Sequence, residues 1–357
     1  MIQENWHIIG LMSGTSLDGL DIVYTRISTY KNKYNFEIMY CETIPYSISW
    51  ENNLRNAFHQ KTALIEDLNL NYGTYLGNSV NKFIKRNTIT KVDFIASHGH
   101  TIFHKPNEGY TLQIGDGQTI STITGLKVIC DFRTQDVEYG GQGAPLVPIG
   151  DQLLFPNYKY CLNLGGFANI SFQENNKRIA FDICPVNIVL NHYSKKLGLD
   201  FDRGGEISKT GIVHQNLLNE LNTVPFYNAA IPKSLGFEFV KEIIFPIINK
   251  YQLNVQDILR TFVAHVVFQL ANCLDNNSNS SLLITGGGAF NSFLIDELKN
   301  ATYNTIVIPD ANIINYKEAL IFAFLGLLRS KNEVNCLSSV TGAKKDHSSG
   351  KIYTKQT

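Results

Sequence analysis

Between Gly10 and Asp21 the chain reads Gly-Leu-Met-Ser-Gly-Thr-Ser-Leu-Asp-Gly-Leu-Asp, small and hydroxyl residues followed by two carboxylates. Apolar runs on either side, Ile8-Ile9 and Ile22-Val23-Tyr24, make the pattern strand, turn, strand: a β-hairpin with a polar tip. Gly14 and Gly19 allow close backbone approach, so that amide N–H groups can converge on an anion. Ser13, Thr15 and Ser16 add hydroxyl donors suited to phosphate oxygens. Asp18 and Asp21 would repel a bare phosphate and make sense with a Mg²⁺ ion beside it. The same loop is also ordinary hairpin-turn chemistry, and only the rest of the chain decides between the two.

Two further glycine turns follow apolar, strand-like runs: Gly165-Gly166 after Tyr160–Leu164, and Gly286-Gly287-Gly288 after Ser281–Thr285. Ligands of open α/β sheets bind outside the carboxyl ends of strands, which is where these turns fall. Arg133 follows the run Lys127–Cys130 and could complement a carboxylate or a phosphate; a surface salt bridge is the alternative. His98, His100 and His104 invite a metal reading, yet their spacing fits no common zinc pattern. A polar wall toward sugar hydroxyls suits His98 better.

The elements that must position these groups are legible from periodicity. A third strand, Phe36–Thr43, extends the hairpin into a meander. Helices are expected at 51–60 and 64–86, the second with Leu68, Tyr72, Tyr75, Leu76, Val80 and Phe83 on one face. A short buried strand, 92–96, should deliver Ser97-His98-Gly99-His100-Thr101 at its end. Strands follow at 111–114 and 127–130. The Gly/Pro-rich segment 139–148 is the expected domain crossing. Strands at 160–164, 168–172 and 178–181 repeat the opening pattern, which suggests an internal structural duplication. Asn254 caps a long apolar helix to Leu274. A strand at 305–308 precedes a closing helix, 316–329, and the residues after it, Lys344 to Gly350 especially, look mobile.

Composition is that of an ordinary globular protein of 357 residues, 44% apolar and 17% charged, long enough for two domains. Thirty-one basic residues balance thirty-one acidic ones, so no global field calls for nucleic acid or an anionic membrane. Six scattered cysteines form no CxxC pair and read as free thiols of a cytoplasmic protein. The N-terminus has no signal-peptide pattern, and no apolar run approaches the about 20 residues of a membrane span.

Taken together, the segments 10–21, SHGHT (97–101), TLQIGD (111–116), DFR (131–133), GGQGAPLVP (140–148), NLGGFANIS (163–171), GGGAFN (286–291) and SVTGA (339–343) resemble the anhydro-N-acetylmuramic acid kinases, within the actin, hexokinase and Hsp70 ATPase superfamily. The resemblance implies an α/β protein of two ribonuclease-H-like domains, the actin-like ATPase fold, with an interdomain nucleotide cleft. The domains would be 1–135, completed by 335–357, and 136–334. It implies ATP and Mg²⁺ as cofactors, and a reaction that opens the 1,6-anhydro bridge of the sugar with water while phosphorylating the freed 6-oxygen. The sugar and ATP would be its partners, with no nucleic acid and no membrane, and the resemblance suggests a homodimer.

Carried over residue by residue, the resemblance makes Asp182 the catalytic base and Glu318 a second catalytic-site carboxylate. A helix N-terminal aspartate and a solvated helix glutamate are their respective alternatives. Nucleotide contacts fall to Gly14, Thr15, Ser16, Leu17, Asp18, Gly19, Leu20, Asp21, Gly165, Gly166, Gly286, Gly287 and Gly288, with Asp18 at the metal. Sugar contacts fall to His98, Thr101, Arg133 and Asn187. Three positions depart from the family pattern: His100 stands for glutamine, and Cys184 and Val186 for glycines. They raise the alternative of a kinase for a related anhydro- or amino-sugar, or of a nucleotide-binding homologue without turnover.

Overall fold

The computed structural model describes residues 4–14, 17–31, 33–275 and 279–355. The chain divides into two compact units, residues 1–155 with 316–357, and residues 156–315.

In the first unit, β1 (Glu4–Ser13), β2 (Gly19–Tyr30) and β3 (Lys33–Pro45) form an antiparallel meander. β4 (Phe94–Lys105) lies parallel to β1, and β6 (Val128–Cys130) parallel to β4, with β5 (Tyr110–Ile114) antiparallel on the far half of β4. A terminal strand, Lys351–Tyr353, closes the seven-stranded sheet against β6. Val, Ile and aromatic residues suit the buried runs of β1, β2, β4 and β6, whereas β3 at the sheet edge has no fully buried residue. One face carries the helix Thr62–Arg86, whose Leu68, Tyr72, Leu76, Val80 and Phe83 join the core on the expected stripe.

In the second unit, β7 (Tyr160–Leu164), β8 (Phe167–Glu174) and β9 (Lys177–Pro185) repeat the meander. β10 (Ser281–Thr285) lies parallel to β7, and β11 (Thr305–Val307) parallel to β10. Each unit therefore holds the same five-strand order, three antiparallel strands followed by two parallel additions beside the first. This is the ribonuclease-H-like sheet, present twice, as the repeated strand–glycine–strand pattern led one to expect. The helix Val255–Asn272 supplies much of the second core through Leu259, Phe262, Val263 and Val266, and Asn254 caps it through Asp257 N at 2.8 Å.

Several local expectations are corrected. The segment 139–148 is no crossing, and the first division falls at 155/156 rather than 135/136. The buried Asp136 carboxylate accepts from Gly143 N at 2.7 Å, and Gln142 N donates to Thr341 O at 2.8 Å, so the glycines wrap a polar core of the first unit. The following helix Val147–Leu154 keeps Gly150 against Ile321 of the same unit.

The closing helix is Ala311–Ser330, starting earlier than expected, and the second division falls within it at 315/316 rather than at 334/335. Its residues 319–325 are at most 1% exposed on all sides, because it crosses β1 and β4 closely enough that Gly10 and Gly326 sit against Ala319 and Ala96. That burial accounts for a 20-residue helix this apolar inside a folded unit. The described residues beyond it, to 355, are not loose. Ser349 Oγ donates to Phe132 O at 2.7 Å, Asn335 Nδ2 donates to Ser349 O at 2.8 Å, and Lys344 N donates to Tyr139 O at 3.1 Å.

Candidate active site

The tip of the β1–β2 hairpin is tied down from behind. Ser13, 2% exposed, places its hydroxyl 2.6 Å from Tyr46 Oη and 2.8 Å from His100 Nδ1, and Tyr46 Oη lies 2.6 Å from Tyr72 Oη. Its hydroxyl is thus spent inside the protein and not offered to a ligand, contrary to expectation. In the sequence His100 stands out as one of three clustered histidines and as a departure from the family pattern; its contact to Ser13, 87 residues away, carries no local signal.

Leu17 takes a left-handed conformation, φ 62°, and its N–H donates to Gly14 O at 3.3 Å. Gly19 answers to a neighbour: a Cβ there would lie 2.5 Å from Ile44 O of β3. Leu20 is buried in the core. Thr15 and Ser16 lie outside the described residues.

Carboxylates gather beside this hairpin. Asp21 Oδ1 accepts from Thr43 Oγ1 at 2.6 Å, and the same hydroxyl is 3.4 Å from Tyr316 Oη. Burial pushes the Asp21 carboxyl up to about 6; the Thr43 hydrogen bond opposes this, and the charges of Glu318 and Asp18 add to it. Glu318 is itself raised by burial, against the pull of Lys317 and Arg133. Glu318 lies not at the start of its helix but two turns in, half-buried, next to Lys317, which is ion-paired with Asp151 at 2.8 Å. Asp21 and Glu318, both with raised affinity for protons, offer oxygen donors of the kind a hard cation takes.

β4 does not end before the histidines but runs through them. Gly99, at φ 75°, and two irregularities in the pairing of β4 let the strand continue with a local kink. The three imidazoles have separate partners. His98 faces Arg133, His100 bonds Ser13, and His104 Nδ1 lies 3.1 Å from Thr111 Oγ1. Arg133 Nε and Nη2 both approach His98 Nε2, at 3.1 and 2.9 Å, and Nη1 donates to Gly143 O at 2.6 Å. Because arginine only donates, His98 Nε2 accepts and Nδ1 donates to Gly99 O at 2.9 Å. Burial, with Arg133 next, holds His98 well below the usual histidine range, so the ring is neutral. Burial also draws Arg133 down to about 10, with Glu318 opposing. Thr101 Oγ1, further along β4, accepts from Gln113 Nε2 of β5 at 3.4 Å.

In the second unit the glycine turns meet at the carboxyl ends of β7 and β10. Gly286, φ 80°, is pressed against Asn163 Oδ1 and Leu164, and Gly288 against Leu164. Gly287 has open space, with only Asn187 Nδ2 within 4 Å of a Cβ placed there. The Gly165-Gly166 turn is occupied through its carbonyls. Gly166 O accepts from Val186 N at 2.8 Å and Gly165 O from Asn187 N at 3.3 Å, so the turn caps the helix Asn187–Lys195. Asn187 Nδ2 donates to Leu164 O at 3.0 Å.

Asp182 sits inside β9, at a β-bulge where Cys184 and Asp182 face Ala168 and Asn169. The helix it was weighed against as an N-terminal residue starts only at Asn187. Its Oδ2 accepts one hydrogen bond, from Leu235 N at 2.8 Å, and its own N–H donates to Lys233 O at 3.0 Å. Burial raises its carboxyl above the ordinary range, and the Leu235 amide opposes this. Cys184 and Val186, 0% exposed, point into the apolar core of the unit. Their larger side chains fill that core.

The sequence model of the anhydro-N-acetylmuramic acid kinase family matches residues 6–355. Proteins of that name from Francisella tularensis subsp. novicida and Haemophilus influenzae are each 32% identical to this chain, over 96% and 98% of it and 97% and 98% of their own lengths. The protein of that name from Bacillus cereus is 31% identical over 95% of the chain and 96% of its own length. Among solved structures, a xylulose kinase from Lactobacillus acidophilus is 12% identical over 98% of this chain and 94% of that one, with a TM-score of 0.44, too low to bear on activity. A match that runs through both ribonuclease-H-like units and takes in each glycine turn and carboxylate described above leaves one conclusion: the chain belongs to the anhydro-N-acetylmuramic acid kinase family.

Proposed function

We propose that the protein is an ATP-dependent kinase that hydrolytically opens 1,6-anhydro-N-acetylmuramic acid and phosphorylates its 6-oxygen, giving N-acetylmuramic acid 6-phosphate and ADP. The observation that carries the reading is Asp182: a half-buried carboxylate with one amide donor and a raised proton affinity, in a chain that matches the family from end to end. Water is a poor nucleophile at neutral pH, and a placed carboxylate contributes about 10²–10⁴-fold as general base. Asp182 takes a proton from water as its oxygen bonds to the anomeric carbon. The bond from that carbon to the bridging oxygen breaks, and the freed 6-oxygen takes the terminal phosphoryl group of ATP, releasing ADP.

In this reading Gly14, Leu17 and the amides of the hairpin tip attend the phosphates, and Gly287 lets nucleotide approach the backbone. Asp18 and Asp21 would hold Mg²⁺, which when bound would neutralise developing charge on the phosphates. Arg133, held by His98 and by Gly143 O, meets the sugar's lactyl carboxylate. Glu318 orients the sugar, and Thr101 and Asn187 border it. A related anhydro-sugar is not favoured: of the substitutions that suggested one, Cys184 and Val186 are core residues and His100 is buried against Ser13.

The test is ADP release by purified protein with ATP, Mg²⁺ and the anhydro-sugar, repeated in oxygen-18-labelled water. The label should appear on the anomeric oxygen and not in the transferred phosphate. Label in phosphate, or ADP formed equally without sugar, overturns the reading.

A further inference from the structure

Away from the residues assigned above, the first unit buries a thiol, an imidazole and a carboxylate together. Cys336, His347 and Asp136 are 1%, 6% and 0% exposed, and one ligand atom from each lies within 4.8 Å of the other two. Cys336 Sγ is 3.0 Å from Asp136 Oδ1, and His347 Nε2 is 3.6 Å from the same oxygen. His347 Nδ1 is engaged with Lys345 O at 3.1 Å, while its Nε2 makes no hydrogen bond. An imidazole that donates through Nδ1 to a carbonyl presents its other nitrogen as a lone pair, the form in which histidine binds metal. A buried polar atom left without a hydrogen bond in a closed cluster is costly, and a bound cation removes that cost.

We propose that Asp136, Cys336 and His347 form a structural site for a zinc-class divalent cation. Thiolate, imidazole and carboxylate are the donors such an ion takes, at about 2.3, 2.0–2.1 and 2.0–2.2 Å. Tetrahedral donors at those lengths stand roughly 3.3–3.7 Å apart, close to the 3.6 Å between His347 Nε2 and Asp136 Oδ1. The 3.0 Å from Cys336 Sγ to the same oxygen opens slightly as the ion enters. The thiol gives up its proton on loading, a sulfur–metal bond replaces the S–H bond, and nothing is oxidised or reduced. Three protein donors leave one position for water or for the Thr341 hydroxyl, which is 2.8 Å from Asp136 Oδ1.

The surroundings already orient the carboxylate, since Asp136 Oδ2 accepts from Gly143 N. The site is closed, so its role is to hold the chain. It fastens residues 336–347 to the helix Thr134–Glu138 and the glycine segment behind Arg133. A plain hydrogen-bonded cluster would satisfy Asp136 and Cys336 but not His347 Nε2.

The full-length protein is purified from zinc-supplemented medium, desalted and assayed for metal by mass spectrometry. About one zinc per chain is expected, and cobalt-exchanged protein should show the near-ultraviolet thiolate-to-cobalt charge-transfer band. Cys336→Ser keeps a hydroxyl donor for Asp136 and should fold, yet lose the band and at least tenfold in zinc affinity. A chelator should lower the Tm of wild type and leave that of Cys336→Ser unchanged. Less than a tenth of an equivalent of zinc after loading, or a cobalt spectrum without the thiolate band, overturns the site.

Discussion

Arg133 directs two of its N–H groups at one atom, Nε2 of His98, at 3.1 and 2.9 Å. The pairing holds the histidine in a single neutral tautomer and leaves the guanidinium little freedom to turn.

Removing the acceptor therefore tests whether Arg133 must be held. His98→Leu keeps an apolar body beside Phe322, whose ring lies 4.6 Å away, but frees the guanidinium. In the proposed reading KM for the anhydro-sugar rises at least tenfold while KM for ATP changes little, as measured by steady-state ADP release. Equal loss for both substrates would mean that the pair serves only the fold.

Asp182→Asn separates stability from activity. Its raised carboxyl means that ionisation is costlier in the folded chain, so above that range a neutral isostere relieves the cost. The variant should melt at or above the wild-type temperature and keep its affinity for ATP, yet lose about 10²-fold or more in turnover. In wild type, kcat/KM should fall as pH drops through the Asp182 carboxyl, because the base must be ionised to accept a proton. Near-normal turnover by the variant removes Asp182 from the chemistry.

Adjacent glycines should behave differently. Gly286→Ala meets a left-handed backbone and the Asn163 side chain at 2.5 Å, so it should cost about 1–3 kcal/mol in denaturant unfolding. Gly287→Val enters open space and should leave the unfolding midpoint unchanged while weakening ATP binding in calorimetry at least tenfold. Unchanged ATP affinity would take this turn out of the nucleotide site.

His265 makes the fold sensitive to acid. It is fully buried between Asn222 Oδ1 at 2.7 Å and Tyr227 Oη at 3.0 Å, and burial draws it down to about 3. The unfolded chain takes up its proton near 6.5 and the native one only near 3. Stability from this group is whole above pH 6.5 and is lost as pH falls between those values, by about 2 kcal/mol at pH 5. His265→Gln should flatten the dependence of Tm on pH over that interval; an unchanged slope would assign the acid sensitivity to other groups.

What the sequence determined by itself was local and periodic. The apolar runs of β1 and β2, the one-sided stripe of Thr62–Arg86 and the repeat at 160–185 each follow from short-range pattern, and together they define two copies of one sheet. The motifs around Gly14, Gly165, Gly286 and Asp182 were legible for the same reason, since each is a short run with unusual residue types.

Tertiary structure decided what depends on distant partners. Ser13 reads as a phosphate donor until Tyr46 and His100 take its hydroxyl, and the requirement for glycine at position 19 is set by Ile44 O on the neighbouring strand. The segment 139–148 reads as a linker because glycine and proline break regular elements. Its backbone instead folds around Asp136, which meets Cys336 and Thr341 two hundred residues on. Burial of a carboxylate or an imidazole is set by such pairings, and no window of neighbouring residues encodes them.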